Sequence, residues 1–251
     1  MKLHPRTLYD RLLAASRTAT PIQEVVIGLT WTLCRADGIG LCMSPGVPTR
    51  TLPWSGTLTQ YTLAEVAPWV QAWDHYQATV GMAAINAAIN ATSPLVAQAQ
   101  PLVPTGPGNL AVFEHFLPQI QGQRVVVIGR YPGLAPYEQA ATLTVIERQP
   151  TASDLPDPAC EYVLPEADWV FLTATSIANK TFPRLVELSQ QAQIVLMGPT
   201  VPWLPDFADM GIAYLAGVAV TDAVTLRQTI AEGGGTRIFE TGVQYRVLAL
   251  R

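Results

Sequence analysis

The sequence predicts an α/β protein: an N-terminal α+β unit followed by a doubly wound, mostly parallel sheet. Three observations carry this. In the C-terminal half, apolar runs of strand length at 124–129, 143–147, 169–173, 194–198 and 212–217 alternate with helical segments. The N-terminal part runs strand, strand, helix, helix, the order of an α+β unit. Between them residues 92–109, TSPLVAQAQPLVPTGPGN, hold four prolines and two glycines and keep no hydrophobic period. The division is therefore 1–91, a linker at 92–108, and 109–251.

In the first unit, residues 9–17 read as a short amphipathic helix. The β-branched, apolar run 25–34 reads as a strand, Asp37-Gly38 as a hairpin turn and 39–43 as the returning partner. Residues 63–73 and 76–91 read as two helices. Trp69, Trp73 and Tyr76, at i, i+4 and i+7, are expected in the core. Ile85 and Ile89 stack toward the core, and Asn86 and Asn90 stack on an adjacent stripe. Asparagine costs a helix up to about 0.7 kcal/mol relative to alanine. The surrounding alanines let another backbone come close. Two such amides suit a domain interface or a ligand; a polar helix edge bonded to loops accounts for them equally well.

In the second unit, helical segments fall at 135–141, 182–191 and 206–210. A last helix at 222–232 is stopped by Gly233-Gly-Gly235, with Thr221 or Asp222 as its N-cap. Residues 239–250 add an edge hairpin.

Half of the residues are hydrophobic (49%) and only 14% are charged, enough for a sizeable core and against disorder. A net charge of -4 with no basic block excludes a charged nucleic-acid face. No apolar run approaches the roughly 20 residues that span a bilayer. The N-terminal Met1-Lys-Leu-His-Pro-Arg6 has no apolar stretch behind it and does not read as a signal peptide. The expected partner is a small molecule, not nucleic acid or membrane, in a cytoplasmic protein. Oligomeric state is not legible. The three cysteines, Cys34, Cys42 and Cys160, are expected as reduced thiols. With three scattered histidines and no Cys-x-x-Cys, no zinc site is readable. Cys34 and Cys42 flank the Asp37-Gly38 turn. A two-residue loop points them to opposite faces; a three-residue loop sets them opposite each other, where they could share a soft metal, and the reading preferred to a metal is a pair of buried, inert thiols.

The richest stretch for chemistry is Thr173-Ala-Thr-Ser-Ile-Ala-Asn-Lys-Thr181. It lies between the apolar run 169–172 and the helix from 182, at a strand's carboxyl end, where open α/β sheets bind ligands. Only two of the 15 lysines and arginines are lysine, and Lys180 is the internal one. Thr173, Thr175, Asn179, Lys180 and Thr181 are its candidates. The alternative is a capped helix start with a solvated Lys180, against the helix dipole. Gly129-Arg130-Tyr131-Pro132-Gly133 ends the first strand of this unit. It is not the dinucleotide fingerprint, and Pro132 removes an amide. Arg130 either binds a carboxylate through its fork of donors or is a solvated turn residue. Glu147 ends the next strand, where an acid bonds a ribose hydroxyl or simply pairs with Arg148. Gly198-Pro199-Thr200-Val201-Pro202 follows the fourth strand on the same sheet edge, offering close backbone approach and a hydroxyl.

Taken together, Gly81-Met-Ala-Ala-Ile-Asn-Ala87, Val-Ile-Gly129 before Tyr131-Pro132, Asn179-Lys-Thr181, Gly198-Pro-Thr-Val-Pro202 and Ala-Gly217 resemble an uncharacterised prokaryotic family named for heavy-metal chelation. The resemblance spans about residues 5–240. It implies an enolase-N-terminal-like domain, a Rossmann-like domain and an active site in the cleft between them. It marks Asn86, Gly129, Asn179, Lys180, Thr181, Gly198, Pro199 and Thr200 as cleft residues.

The matched positions lack clustered His, Cys or carboxylates, so a heavy metal is expected through a bound organic chelator and not a protein cage. The leading expectation is a small anionic ligand or metal chelate bound in the cleft, in a protein that binds it or metabolises chelators. Lys180 and Arg130 would neutralise it; Asn179, Thr173, Thr175 and Thr200 would orient it; Asn86 would close the site. If chemistry occurs, Lys180 is the acid or electrophilic stabiliser. The alternatives are a transferase using an adenosyl cofactor held by Glu147, and a non-catalytic sensor.

Overall fold

The computed structural model describes residues 4–151 and 153–250; Met1, Lys2 and Leu3 lie outside the described residues. Helix α1 (Pro5–Ala15) leads into strands β1 (Glu24–Ile27), β2 (Trp31–Arg35) and β3 (Ile39–Met43). These form an antiparallel sheet in the order β1-β2-β3. The run read as one strand over 25–34 is thus two. Gly28 turns the chain, its amide donating to Trp31 O at 3.0 Å. An apolar run gives no sign of a turn placed inside it; the packing of that turn against Ile230 O decides it.

Helices α2 (Leu63–Val66) and α3 (His75–Thr92) follow, separated by a 3-10 turn at Ala67–Gln71. Helix α3 is buried from Ala78 to Ile89. Its small residues explain how it reaches the sheet. A Cβ on Gly40 would meet Ala83 O at 2.1 Å and Ala87 N at 2.2 Å, so α3 and β3 touch backbone to backbone. Trp73 does not join the core: it is 83% exposed, and Trp69 and Tyr76 are only partly buried. The helix read over 63–73 breaks, which takes these rings off one face.

The two stacked asparagines of α3 serve the outer edge of β3. Asn90 Nδ2 donates to Ile39 O at 3.0 Å and Asn86 Nδ2 to Leu41 O at 2.8 Å. Four helical residues rise about 6 Å, close to the roughly 6.8 Å between alternate strand residues. An i, i+4 amide pair therefore matches an i, i+2 carbonyl pair and closes an edge left unpaired.

Residues 92–108 are not featureless. They contain helix α4 (Leu95–Gln98) and strand β4 (Gln100–Pro101), which pairs antiparallel with the last strand. Then come α5 (Ala111–Ile120), β5 (Arg124–Ile128), α6 (Ala135–Glu138), β6 (Thr142–Ile146), α7 (Cys160–Val163), β7 (Trp169–Thr173), α8 (Thr175–Ala178), α9 (Phe182–Leu188), β8 (Gln193–Met197), β9 (Ile212–Val220), α10 (Ala223–Ala231), α11 (Ile238–Thr241) and β10 (Val243–Ala249). Helix α5 was not anticipated. Asp222 caps α10, accepting from Val224 N and Thr225 N.

The large sheet has the order β4-β10-β9-β8-β7-β5-β6. Strands β5 to β9 are parallel, and β10 returns antiparallel beside β9. Counted from β5, the parallel strands run 2-1-3-4-5. The order reverses between β5 and β7, which makes the carboxyl ends of those strands a topological switch point. Two apolar clusters cross from the small sheet into the large one: Leu8, Cys34 and Ile85 with Val126, Leu172 and Phe182, and Trp31, Leu33 and Leu41 with Phe113, Phe171 and Ile230. The sheets share their core, so the space between them is walled by both. No helix among the described residues is long and apolar enough to cross a membrane.

Candidate functional site

Above the switch point lies a cavity of about 1100 Å³, walled from one side by Thr30, Trp31, Met43 and Thr79 and from the other by the loops after β5, β6, β7 and β8. Of the residues expected at the site, Gly129, Arg130, Glu147, Thr173, Thr175, Asn179, Lys180, Thr181, Gly198, Pro199 and Thr200 all line it. Their roles divide sharply once their partners are known.

Lys180 is the only non-glycine residue with positive φ among the described residues, at 72°. Such a conformation is uncommon for a side-chain-bearing residue and marks a constrained site. The constraint is local. Asn179 Oδ1 accepts from Thr181 N at 3.1 Å and Thr181 Oγ1 at 2.7 Å, folding the loop tightly around Lys180. Asn179 Oδ1 and the Thr181 hydroxyl are thus spent on the loop, while Asn179 Nδ2 has no hydrogen-bond partner among the described residues. Lys180 Nζ donates to Ala178 O at 2.7 Å. Burial lowers its pKa from 10.5 to about 8, with a smaller opposing effect of Cys42.

The other cavity cations have carboxylate partners. Arg130, expected to neutralise a ligand, instead forms a two-pronged pair with Asp154, Nε to Oδ2 at 2.9 Å and Nη2 to Oδ1, and also donates to Ser153 Oγ. Asp154 is buried, and the guanidinium holds its carboxyl far below the ordinary range. Arg148 pairs with Asp157 at 3.1 Å, and Arg184 with Glu161 and Glu187. No carboxylate pairs with Lys180 among the described residues.

Glu147, expected at a ribose, braces the loops. Oε2 accepts from Arg130 N at 2.9 Å; Oε1 accepts from Arg148 N at 2.7 Å and Gln149 N at 3.3 Å. Three of about four acceptor positions are used.

Asn86, expected to close the cleft, is fully buried and outside the cavity wall. Besides Leu41 O, its amide donates to Thr200 O at 2.9 Å. Thr200 is 1% exposed, and its hydroxyl accepts from Met43 N at 3.0 Å. The pair ties the β8 loop to the edge of β3, with Thr200 alone of the two in the cavity wall. Elsewhere in the cavity wall, Thr173 Oγ1 donates to Thr175 Oγ1 at 3.3 Å and accepts from Thr175 N at 3.4 Å, and Thr175 Oγ1 reaches Met43 Sδ at 3.8 Å. Tyr131 lines the cavity beside them, and its burial raises the phenol pKa. Tyr245, at the same cavity, had no sequence signal: it sits on a strand remote in sequence from every motif.

The cysteines do not make a metal site. The turn spans 36–38, but the register sets Cys34 opposite Gly40 and Cys42 opposite Thr32, so the thiols are diagonal, not facing. Both are free and buried, their pKa values pushed up to about 12 by burial. Metal-binding thiolates need the opposite shift. Among the described residues no group of three or more His, Cys, Asp or Glu side chains could hold a metal. Among the described residues the two buried, protonated thiols do not fit a heavy-metal ion.

Two family models match the chain: DUF364 over residues 111–249 and DUF4213 over 9–89, each described as "Putative heavy-metal chelation". Comparison with curated proteins finds no match. Among solved structures, the chain is similar to a DUF364-family protein of unknown function from Desulfitobacterium hafniense DCB-2, with 30% sequence identity and a TM-score of 0.84, covering 97% of this chain and 98% of that one. It shares its fold with a second DUF364-family protein of unknown function, from Pyrococcus horikoshii, at 19% identity and a TM-score of 0.78, covering 98% of this chain and 99% of that one.

Proposed function

Since this chain belongs to the DUF364 family, we propose that its cavity binds a small anionic organic ligand, with any heavy metal arriving inside that ligand as a chelate. One observation carries the reading: Lys180 is the cavity cation left without a carboxylate. A half-buried ammonium facing a large cavity at a switch point is favourable ground for an oxyanion. Thr173, at the end of β7, and Thr175, at the start of α8, lie in the same cavity wall to orient that oxyanion. The fixed loop holds the charge in place before the ligand arrives, which limits the entropy lost on binding. The absence of a fitting donor set favours a chelate over a bare ion. The same geometry serves a binding protein or an enzyme; in the second case Lys180 is the group placed to stabilise developing negative charge.

The test is native mass spectrometry with elemental analysis on protein purified without chelators or a metal-affinity tag, comparing wild type with Lys180→Met. The expected result is an acidic small molecule retained by wild type and lost from the variant. Stoichiometric metal without an organic molecule, or a ligand held equally by both, would defeat the proposal.

A further inference from the structure

Four buried side-chain polar atoms have no partner among the described residues: Asn86 Oδ1, Asn90 Oδ1, Arg246 Nε and the Tyr245 hydroxyl. Only Tyr245 lines the cavity. Its ring is well accounted for. It lies on β10 opposite Val218, is 2% exposed, and stacks on Phe239 with centroids 4.8 Å apart and planes 16° from parallel. Packing explains a phenylalanine at this position. It does not explain the hydroxyl, because a buried donor without an acceptor loses its hydration and gains nothing.

The surroundings favour an acceptor there. Tyr131, Thr173 and Thr175 line the same cavity and give it a polar wall. Burial holds Tyr245 in its protonated form. Thr173, Thr175, Tyr131 and Lys180 line the same cavity as Tyr245, whose hydroxyl is left without a partner among the described residues.

We infer that the Tyr245 hydroxyl is a second ligand-binding pole, donating to an acceptor oxygen of the molecule whose anionic end Lys180 holds. This rests on the anion-binding reading above and narrows it: the ligand carries two separated oxygen functions, as a polycarboxylate does.

The experiment is calorimetric titration of wild type, Tyr245→Phe and Lys180→Met with inorganic phosphate, a single anionic centre, and with citrate, which has several. Wild type binds citrate more tightly than phosphate. Tyr245→Phe weakens citrate by about tenfold and leaves phosphate within about twofold, and it raises the melting temperature of the ligand-free protein because an orphaned donor is gone. Citrate bound by wild type no more tightly than phosphate overturns the inference. So does citrate affinity unchanged in Tyr245→Phe while Lys180→Met weakens both probes; the anion site then stands without its second pole. A lower melting temperature for Tyr245→Phe assigns the hydroxyl to the fold and also overturns it. Both probes unaffected by Lys180→Met would remove the anion-binding reading itself.

Discussion

Asn86 and Thr200 meet across the junction of the two sheets: one amide nitrogen donates to Leu41 O at 2.8 Å and to Thr200 O at 2.9 Å. Removing that amide strands two carbonyls in a buried place. Asn86→Ala should cost about 3 kcal/mol, each unsatisfied carbonyl accounting for roughly half. Asn90 serves only Ile39 O and is less buried, so Asn90→Ala should cost about 1 kcal/mol. Urea unfolding of the two variants measures the difference. Equal losses would mean that the Thr200 bond contributes nothing to the junction.

The close approach of α3 to β3 makes Gly40 irreplaceable. An added Cβ would run into the backbone of Ala83 and Ala87, which cannot swing aside as a side chain can. Gly40→Ala should cost at least about 3 kcal/mol, the overpacking penalty at its upper end. Gly46 is the control: its φ is 64° and nothing stands within 4 Å, so Gly46→Ala should cost only about 1 kcal/mol of backbone strain. Thermal melts of both variants decide the point.

The lowered pKa of Lys180 has a pH signature. Burial opposes the charged form in the folded state, so the unfolded chain holds this proton more tightly. Below about 8 the ammonium is charged in both states and its burial penalty is present in full. Between about 8 and 10.5 the folded state releases the proton first, and stability rises with pH. Lys180→Met, with the same backbone strain and no charge, should be more stable than wild type at neutral pH and lack this rise. Anion binding should fall as pH climbs above about 8, where the charge is lost. Melting curves and titrations across pH 7–11 test both; a wild-type stability profile identical to that of the variant would contradict the buried charge.

Arg130 belongs to the fold more than to the ligand. Arg130→Met would leave the Asp154 carboxylate without its guanidinium and should lower the urea midpoint of unfolding. Because the pair depresses the Asp154 pKa, its stabilisation is complete above the ordinary carboxylate range and is lost as pH falls toward the depressed value. Asp154→Asn should therefore flatten the acid limb of the stability profile. Ligand affinity of Arg130→Met, measured at a temperature where it is folded, should change by no more than about twofold.

Most of the secondary structure was legible because its signals are local. The strands at 124–128, 142–146, 169–173 and 193–197 are short apolar runs, and Asp222 is a capping residue at the start of a periodic segment. The boundary between β1 and β2 was hidden inside an apolar run. Residues 100–101 looked like linker because a two-residue strand has no period, and it exists only because β10 presents an edge. Trp73 was misplaced because the helix that would have brought it inward breaks after Val66 into a 3-10 turn.

The sequence by itself determined the fold class, the concentration of polar loops at the strand ends and the singular position of Lys180. These follow from periodicity, turn chemistry and composition, which act over a few residues. Only the tertiary structure decided which of those polar groups remain available. Arg130 found Asp154, Glu147 found three backbone amides, Asn86 and Thr200 found each other, and Tyr245 came to the cavity from β10. Hydrogen-bond satisfaction is settled among groups distant in the chain, so a residue's type states what it can bond but not what it has already bonded.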